Sequence, residues 1–182
     1  QSILKGTPFE AFLVKDGVDA TSVEGVADTA YALPVQASLH SPVQNVPVLW
    51  WRSVGHTHTA FVMETLVDEV AVLSKQDPVA LRKALWAGKH PRHLAALELA
   101  VAKSGYGTRP LPKGRAWGVA VHESFGSVVA YVVEASLDKG QPKLHKATVG
   151  VHCNTAVNPL NVQAQVQGAA LMALGTTLPG AA

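Results

Sequence analysis

The sequence predicts an α+β fold in which helices pack on an antiparallel sheet. Three observations predict it. Between residues 59 and 103, apolar side chains recur at helical spacing in three blocks, each with its own start or stop residue. Between residues 117 and 151, three valine-rich runs follow one another, parted by Gly126 and by Lys139-Gly140. Apolar residues make up 48% of the 182 positions and charged residues only 15%, the composition of a chain that buries a core.

Residues 1–48 form a loop- and strand-rich entry. Lys5-Gly6-Thr7-Pro8 and Asp16-Gly17 are turn chemistry, and Tyr31–Leu39 reads as an edge strand interrupted by Pro34. Pro42 and Pro47 keep the following stretch extended. Residues 49–105 are the helical part. Its first helix spans Thr59–Lys75, with Val62, Leu66, Val70 and Leu73 as the core stripe and Glu64 and Asp68 on a solvated face. The second opens at Asp77-Pro78, a side-chain cap followed by a proline at the first helical position, and closes at Gly88. Leu81, Leu85 and Trp86 supply its apolar side. The third covers Arg92–Lys103, with Leu94, Leu97 and Val101 on one stripe and Gly105 as its stop.

Residues 113–182 complete the domain as a β-meander followed by a helix. The strands fall at Trp117–His122, Ser127–Leu137 and Leu144–Val151, and Gly126 marks a bulge or a close backbone approach. Asn158-Pro159 then caps a helix over Leu160–Gly175, small and apolar almost all round, which predicts that it is buried.

Several function classes are excluded by composition. A net charge of +2 without a Lys/Arg cluster gives no footprint for nucleic acid or an anionic membrane. No run of 18 apolar residues predicts membrane insertion. The one cysteine, Cys153, excludes an internal disulfide framework and a cysteine-rich metal site, and it reads as a buried, inert thiol. A chain that starts at Gln1 and stops just after an apolar helix reads as an excised or processed piece that packs against more protein.

The candidate site begins at Trp50-Trp51-Arg52-Ser53-Val54-Gly55-His56-Thr57-His58. A turn feeding a helix offers backbone N–H groups to an anion, and a guanidinium beside it adds bidentate recognition of phosphate or carboxylate. His56 and His58 lack a third metal ligand at an accepted spacing and diverge at a helix start, so they read as polar support, with no metal site expected. His122-Glu123-Ser124 cannot form a catalytic triad by itself, because adjacent strand residues alternate faces. His122 remains a candidate substrate contact.

Three segments also carry a family resemblance. RSVGHTHTAFVMETLVDEVA from Arg52, GVAVHESFGS from Gly118, and CNTAVNP with AQVQG from Cys153 resemble the large (beta) subunits of the isoquinoline 1-oxidoreductase type, relatives of xanthine dehydrogenase and aldehyde oxidoreductase. The resemblance implies one partial molybdopterin-binding domain of a molybdenum hydroxylase, which oxidises aldehydes or N-heterocycles by hydroxylating an electrophilic carbon with water-derived oxygen. It implies that Arg52, Ser53, Gly55 and Gln165 hold molybdopterin, as such or as a dinucleotide. Val54, His56 and His122 would face the substrate pocket. Valine stands at position 54 where some relatives carry an aromatic ring, Asn154 where glycine is usual, and Gln167 where glutamate is usual.

The family's glycine-rich cofactor loop and its G-V-G-E segment with the glutamate base have no match in this sequence. The resemblance therefore implies no catalytic residue here and an inactive chain taken alone. The implied partners are the remainder of the large subunit, a small subunit carrying the iron–sulfur clusters, and a small aldehyde or heteroaromatic substrate. It leaves the compartment open between bacterial periplasm and cytoplasm, leaning to the periplasm. The rival reading is a non-catalytic scaffold fragment of a larger complex.

Overall fold

The computed structural model describes residues 6–40, 42, 45 and 50–178, and within them the chain is α+β, helices accompanied by antiparallel strands. It divides into two units. One holds the chain up to Leu94 together with Val121–Phe125; the other holds Ala95–Ala120 and the chain from Gly126 onward.

The first unit opens with a short helix α1 (Pro8–Leu13) and a two-stranded ribbon, β1 (Val14–Lys15) and β2 (Val18–Asp19), turned at Asp16-Gly17 with both φ angles positive. A 3₁₀ turn follows at Ala20–Ser22, capped by the Asp19 carboxylate, which accepts from the Thr21 amide. Tyr31–Leu39 is not a strand. Tyr31 is instead pulled into the core, where its ring stacks on Trp86 at 5.9 Å, while the Ala32 amide donates to the Leu85 carbonyl. Proline at position 34 leaves that stretch without a ladder. The expected extension at Pro47 lies outside the described residues.

Helix α2 (His56–Ser74) forms where the periodicity predicts a helix, but its buried face is a different one. Thr59, Met63, Glu64, Val67 and Ala71 are buried, whereas Val62, Leu66, Val70 and Leu73 face outward, Leu73 at 83% exposure. The reason is polar: Glu64 has buried partners, and among the described residues nothing covers the valine–leucine stripe. Helix α3 (Pro78–Leu85) begins as predicted, the Asp77 carboxylate accepting from the Ala80 amide at 2.8 Å. It stops at Leu85, and Ala87 and Gly88 both take positive φ to turn the chain toward α4 (Pro91–Ser104).

The second unit is built on a three-stranded sheet in the order β3 (Arg115–Ser124), β4 (Ser127–Asp138), β5 (Gln141–His152), with the end of β3 from Val121 belonging to the first unit. Both connections are two-residue turns, Phe125-Gly126 and Lys139-Gly140, with positive φ at both positions, the geometry that matches strand twist. Gly126 thus serves a turn; a side chain there would meet nothing, and the bulge lies instead between Glu134 and Ala135. Strand β4 alternates cleanly, burying Val128, Ala130, Val132 and Glu134. Glu134 is tolerated on that face because Arg109 and Arg115 both bond its carboxylate, which holds it below the usual carboxylate range. At Gly150, α4 lies so close that a Cβ would sit 2.1 Å from the Ala96 carbonyl oxygen. β5 has a single neighbour, β4, among the described residues.

Helix α5 (Pro159–Thr177) is capped by Asn158, whose side chain accepts from the Leu160 and Asn161 amides. The expectation that it is buried fails: no residue of α5 is buried, and Leu171 is 69% exposed. Being apolar all round supplies a helix with no direction in which to pack unless a partner surface is present. Cys153 is likewise half-buried and not enclosed. No helix among the described residues is long and apolar enough to cross a membrane.

Candidate functional site

The start of α2 is clasped by the segment from Thr21 to Gly25. The Glu24 carboxylate accepts from the Gly55 amide at 2.8 Å, and its other oxygen lies 3.8 Å from His56 Nε2. Thr59 Oγ1 donates to the Glu24 carbonyl at 2.8 Å, His58 Nε2 donates to the Ser22 carbonyl at 3.1 Å, and Trp50 Nε1 donates to Thr21 Oγ1 at 3.1 Å. Gly55 is required by contact, because a Cβ there would meet the Thr21 carbonyl oxygen at 1.9 Å. The first-turn amides of the predicted anion site are therefore used internally: Gly55 by Glu24, Thr57 by the Val54 carbonyl, and His58 by the Gly55 carbonyl. A carboxylate of the chain itself sits at the positive end of the helix.

Arg52 and Ser53 are exposed on this turn, and Val54 is half-buried. Ser53 and Val54 both adopt positive φ, 82° and 51°, an uncommon state for any residue with a Cβ and a strained one for a β-branched side chain. Gln165 is in the other unit, on the exposed surface of α5. Asn154 takes φ 60°, a left-handed conformation that asparagine tolerates where the resemblance has glycine.

His56 and His122, 66 positions apart, are brought together, with His56 Nδ1 2.8 Å from His122 Nε2. Gly25 packs against both rings; a Cβ there would lie 3.0 Å from His56 Nδ1 and 3.1 Å from His122 Cε1. Burial, followed by the neighbouring His56, pushes the His122 pKa down to about 4, so this imidazole is neutral at pH 7. Its neighbour Glu123 bonds Arg92 at 3.1 Å and lies 3.6 Å from His93 Nε2. Burial lowers the His93 pKa as well. No set of three or more His, Cys, Asp or Glu side chains among the described residues could hold a metal ion.

Beneath this lies a network that spacing did not foretell. Glu64 accepts from the Tyr31 hydroxyl at 2.6 Å, from Arg82 Nε at 3.0 Å and from the Val121 amide at 2.7 Å. Burial pushes the Glu64 carboxyl up, and the Arg82 guanidinium opposes that rise. Arg82, fully buried, also reaches Asp68 at 2.8 Å. The expected solvated pair Glu64/Asp68 is thus two clamps on one arginine. The only sequence signal was that Glu64 sits among Thr59, Met63, Val67 and Ala71 at helical spacing. Above the network opens a cleft of about 90 Å³, lined among others by Asp28, Tyr31, Trp86, His93, His122 and Glu123. Trp86 Nε1 is buried without a hydrogen-bond partner.

The neutral imidazole of His122 is suited to accepting a proton or hydrogen bond in the cleft.

No family model matches the chain, and no solved structure matches it. The chain is similar to two curated proteins. One is the membrane-bound aldehyde dehydrogenase [pyrroloquinoline-quinone] of Gluconacetobacter polyoxogenes, 29% identical over 148 residues, which cover 71% of this chain and 19% of that protein. The other is the isoquinoline 1-oxidoreductase subunit beta of Brevundimonas diminuta, 28% identical over 154 residues, covering 82% of this chain and 20% of that protein. The chain therefore spans about a fifth of the length of these relatives, both of which are oxidoreductases by name.

Proposed function

We propose that this chain is part of the large subunit of a molybdenum hydroxylase that oxidises aldehydes or N-heterocycles. The observation that carries the reading is the pair of relatives, one named for an aldehyde and the other for an N-heterocycle, aligned over most of this chain. The three motif segments beginning at Arg52, Gly118 and Cys153 support the same family. In this reading Arg52, Ser53, Gly55 and Gln165 hold molybdopterin, Arg52 through charge-assisted bonds and Gln165 as a neutral donor. Gly55 contributes by lacking a Cβ, which lets Thr21 and Glu24 fix the turn. Val54, His56 and His122 face the substrate, with His122 kept neutral by burial.

The bound cofactor supplies the oxidation, with oxygen from water. The chain's residues bind, orient and exclude solvent, and the glutamate base comes from elsewhere in the subunit. A small iron–sulfur subunit carries the electrons away, and the chain alone is inactive.

The name of the first relative carries pyrroloquinoline quinone, a different cofactor. Cofactor extraction and metal analysis of the intact subunit pair, with dye-linked oxidation of aldehydes and N-heterocycles, decide between them. Molybdenum and a pterin are expected. Full activity without molybdenum, or recovery of the quinone in its place, overturns the reading. Arg52→Ala should lower cofactor content about tenfold or more, the loss of a charge-assisted contact. A scaffold role is the second reading, favoured by the exposed apolar helix α5, and it predicts that Arg52→Ala leaves cofactor content unchanged.

A further inference from the structure

The cleft in the first unit has an uneven set of hydrogen-bond groups. His56 Nε2 faces the Glu24 carboxylate at 3.8 Å, and we assign the neutral ring the tautomer with its proton on Nε2 and Nδ1 as an acceptor. His122 must then donate from Nε2 across the 2.8 Å contact, which leaves its own Nδ1 unprotonated. Asp28 and Glu123 add carboxylate oxygens to the lining, while Trp86 adds a buried indole N–H with no partner. A buried donor left unmade costs free energy that a ligand's acceptor would recover. The volume of about 90 Å³ is below the roughly 150 Å³ that takes a benzene ring and above what one water needs.

We propose that this cleft is a binding site for a small uncharged molecule of carboxamide pattern, two N–H donors and one carbonyl. The carbonyl accepts from Trp86 Nε1, one N–H donates to His122 Nδ1, and the other donates to the Asp28 or Glu123 carboxylate. An anion is disfavoured by the two carboxylates, Asp28 already accepting from the Gly25 amide and Glu123 from Arg92, and a ligand without donors leaves His122 Nδ1 unmatched. The inference shares His122 with the proposed function, yet it rests on the groups of the cleft alone and is tested without any cofactor.

Acetamide is titrated into the full 182-residue chain, with the Trp86 indole N–H and the His122 ring nitrogens followed by NMR. Saturable shifts at both residues are expected, with N,N-dimethylacetamide binding about tenfold more weakly for want of donors. Equal binding of the two amides overturns the proposal, as does a linear, unsaturable shift or none at Trp86 and His122. His122→Phe removes Nδ1 and should weaken acetamide about tenfold. If that variant fails to fold, the comparison of the two amides on the native chain decides.

Discussion

Helices α2 and α5 have the same length, 19 residues, and nearly the same apolar character, yet they meet the rest of the chain in opposite ways. α2 buries a face that contains a carboxylate and leaves its valine–leucine stripe in solvent. α5 buries nothing. The difference teaches that apolar content does not choose the buried face. In α2 the buried face carries Glu64, which accepts from Tyr31, Arg82 and Val121 in this orientation. α5 buries no carboxylate of that kind, and its Val166 carbonyl accepts from the Tyr131 hydroxyl at 3.3 Å.

The largest expected effect breaks the polar anchor. Arg82→Met strands the buried Glu64 carboxylate and should cost about 3–5 kcal/mol in urea unfolding. Asp68→Asn, at the 46% exposed partner of the same arginine, should cost less than about 1 kcal/mol. Equal costs would mean that burial is not what separates the two carboxylates.

A pH series sharpens the same contrast within the first unit. Folded His122 takes a proton only near pH 4, against 6.5 for the unfolded chain. The unfolded state therefore binds the proton first as pH falls. The stability owed to neutral His122 is complete above pH 6.5 and is lost toward pH 4, by up to about 3 kcal/mol. His93, also lowered, adds a loss of the same sign. Urea unfolding between pH 4 and 7 should show this slope, and His122→Phe should flatten it. A slope unchanged in that variant would assign the effect to other groups.

The smallest effects are expected on the exposed stripes. Leu66→Lys on α2 and Leu171→Lys on α5 should each change stability by no more than about 0.5 kcal/mol. A melting curve showing a large loss for Leu171→Lys alone would mean that α5 is packed in solution.

Element boundaries were largely legible because their signals are local. Asp77-Pro78 and Asn158-Pro159 cap their helices, and Phe125-Gly126 and Lys139-Gly140 turn their strands. Orientation was not legible, because it depends on distant partners. Tyr31 and Glu64 are 33 positions apart, Glu64 and Val121 are 57 apart, and nothing in the spacing of Val62, Leu66, Val70 and Leu73 reports on either. The candidate site divides in the same way. His56 and His122 were each singled out as residues, but their contact depends on tertiary structure. Glu24, which occupies the helix start intended for an external anion, carried no signal beyond its place beside Gly25.

One consequence concerns self-association. Among the described residues strand β5 pairs with β4 alone, and an edge strand is a template on which like chains add. Pro142, opposite Leu137 in the register, removes a donor from that rim, and the exposed Lys143 and Lys146 set positive charge along it. A second copy approaching edge to edge would bring these cations together, so the charge on this strand works against pairing with its own kind.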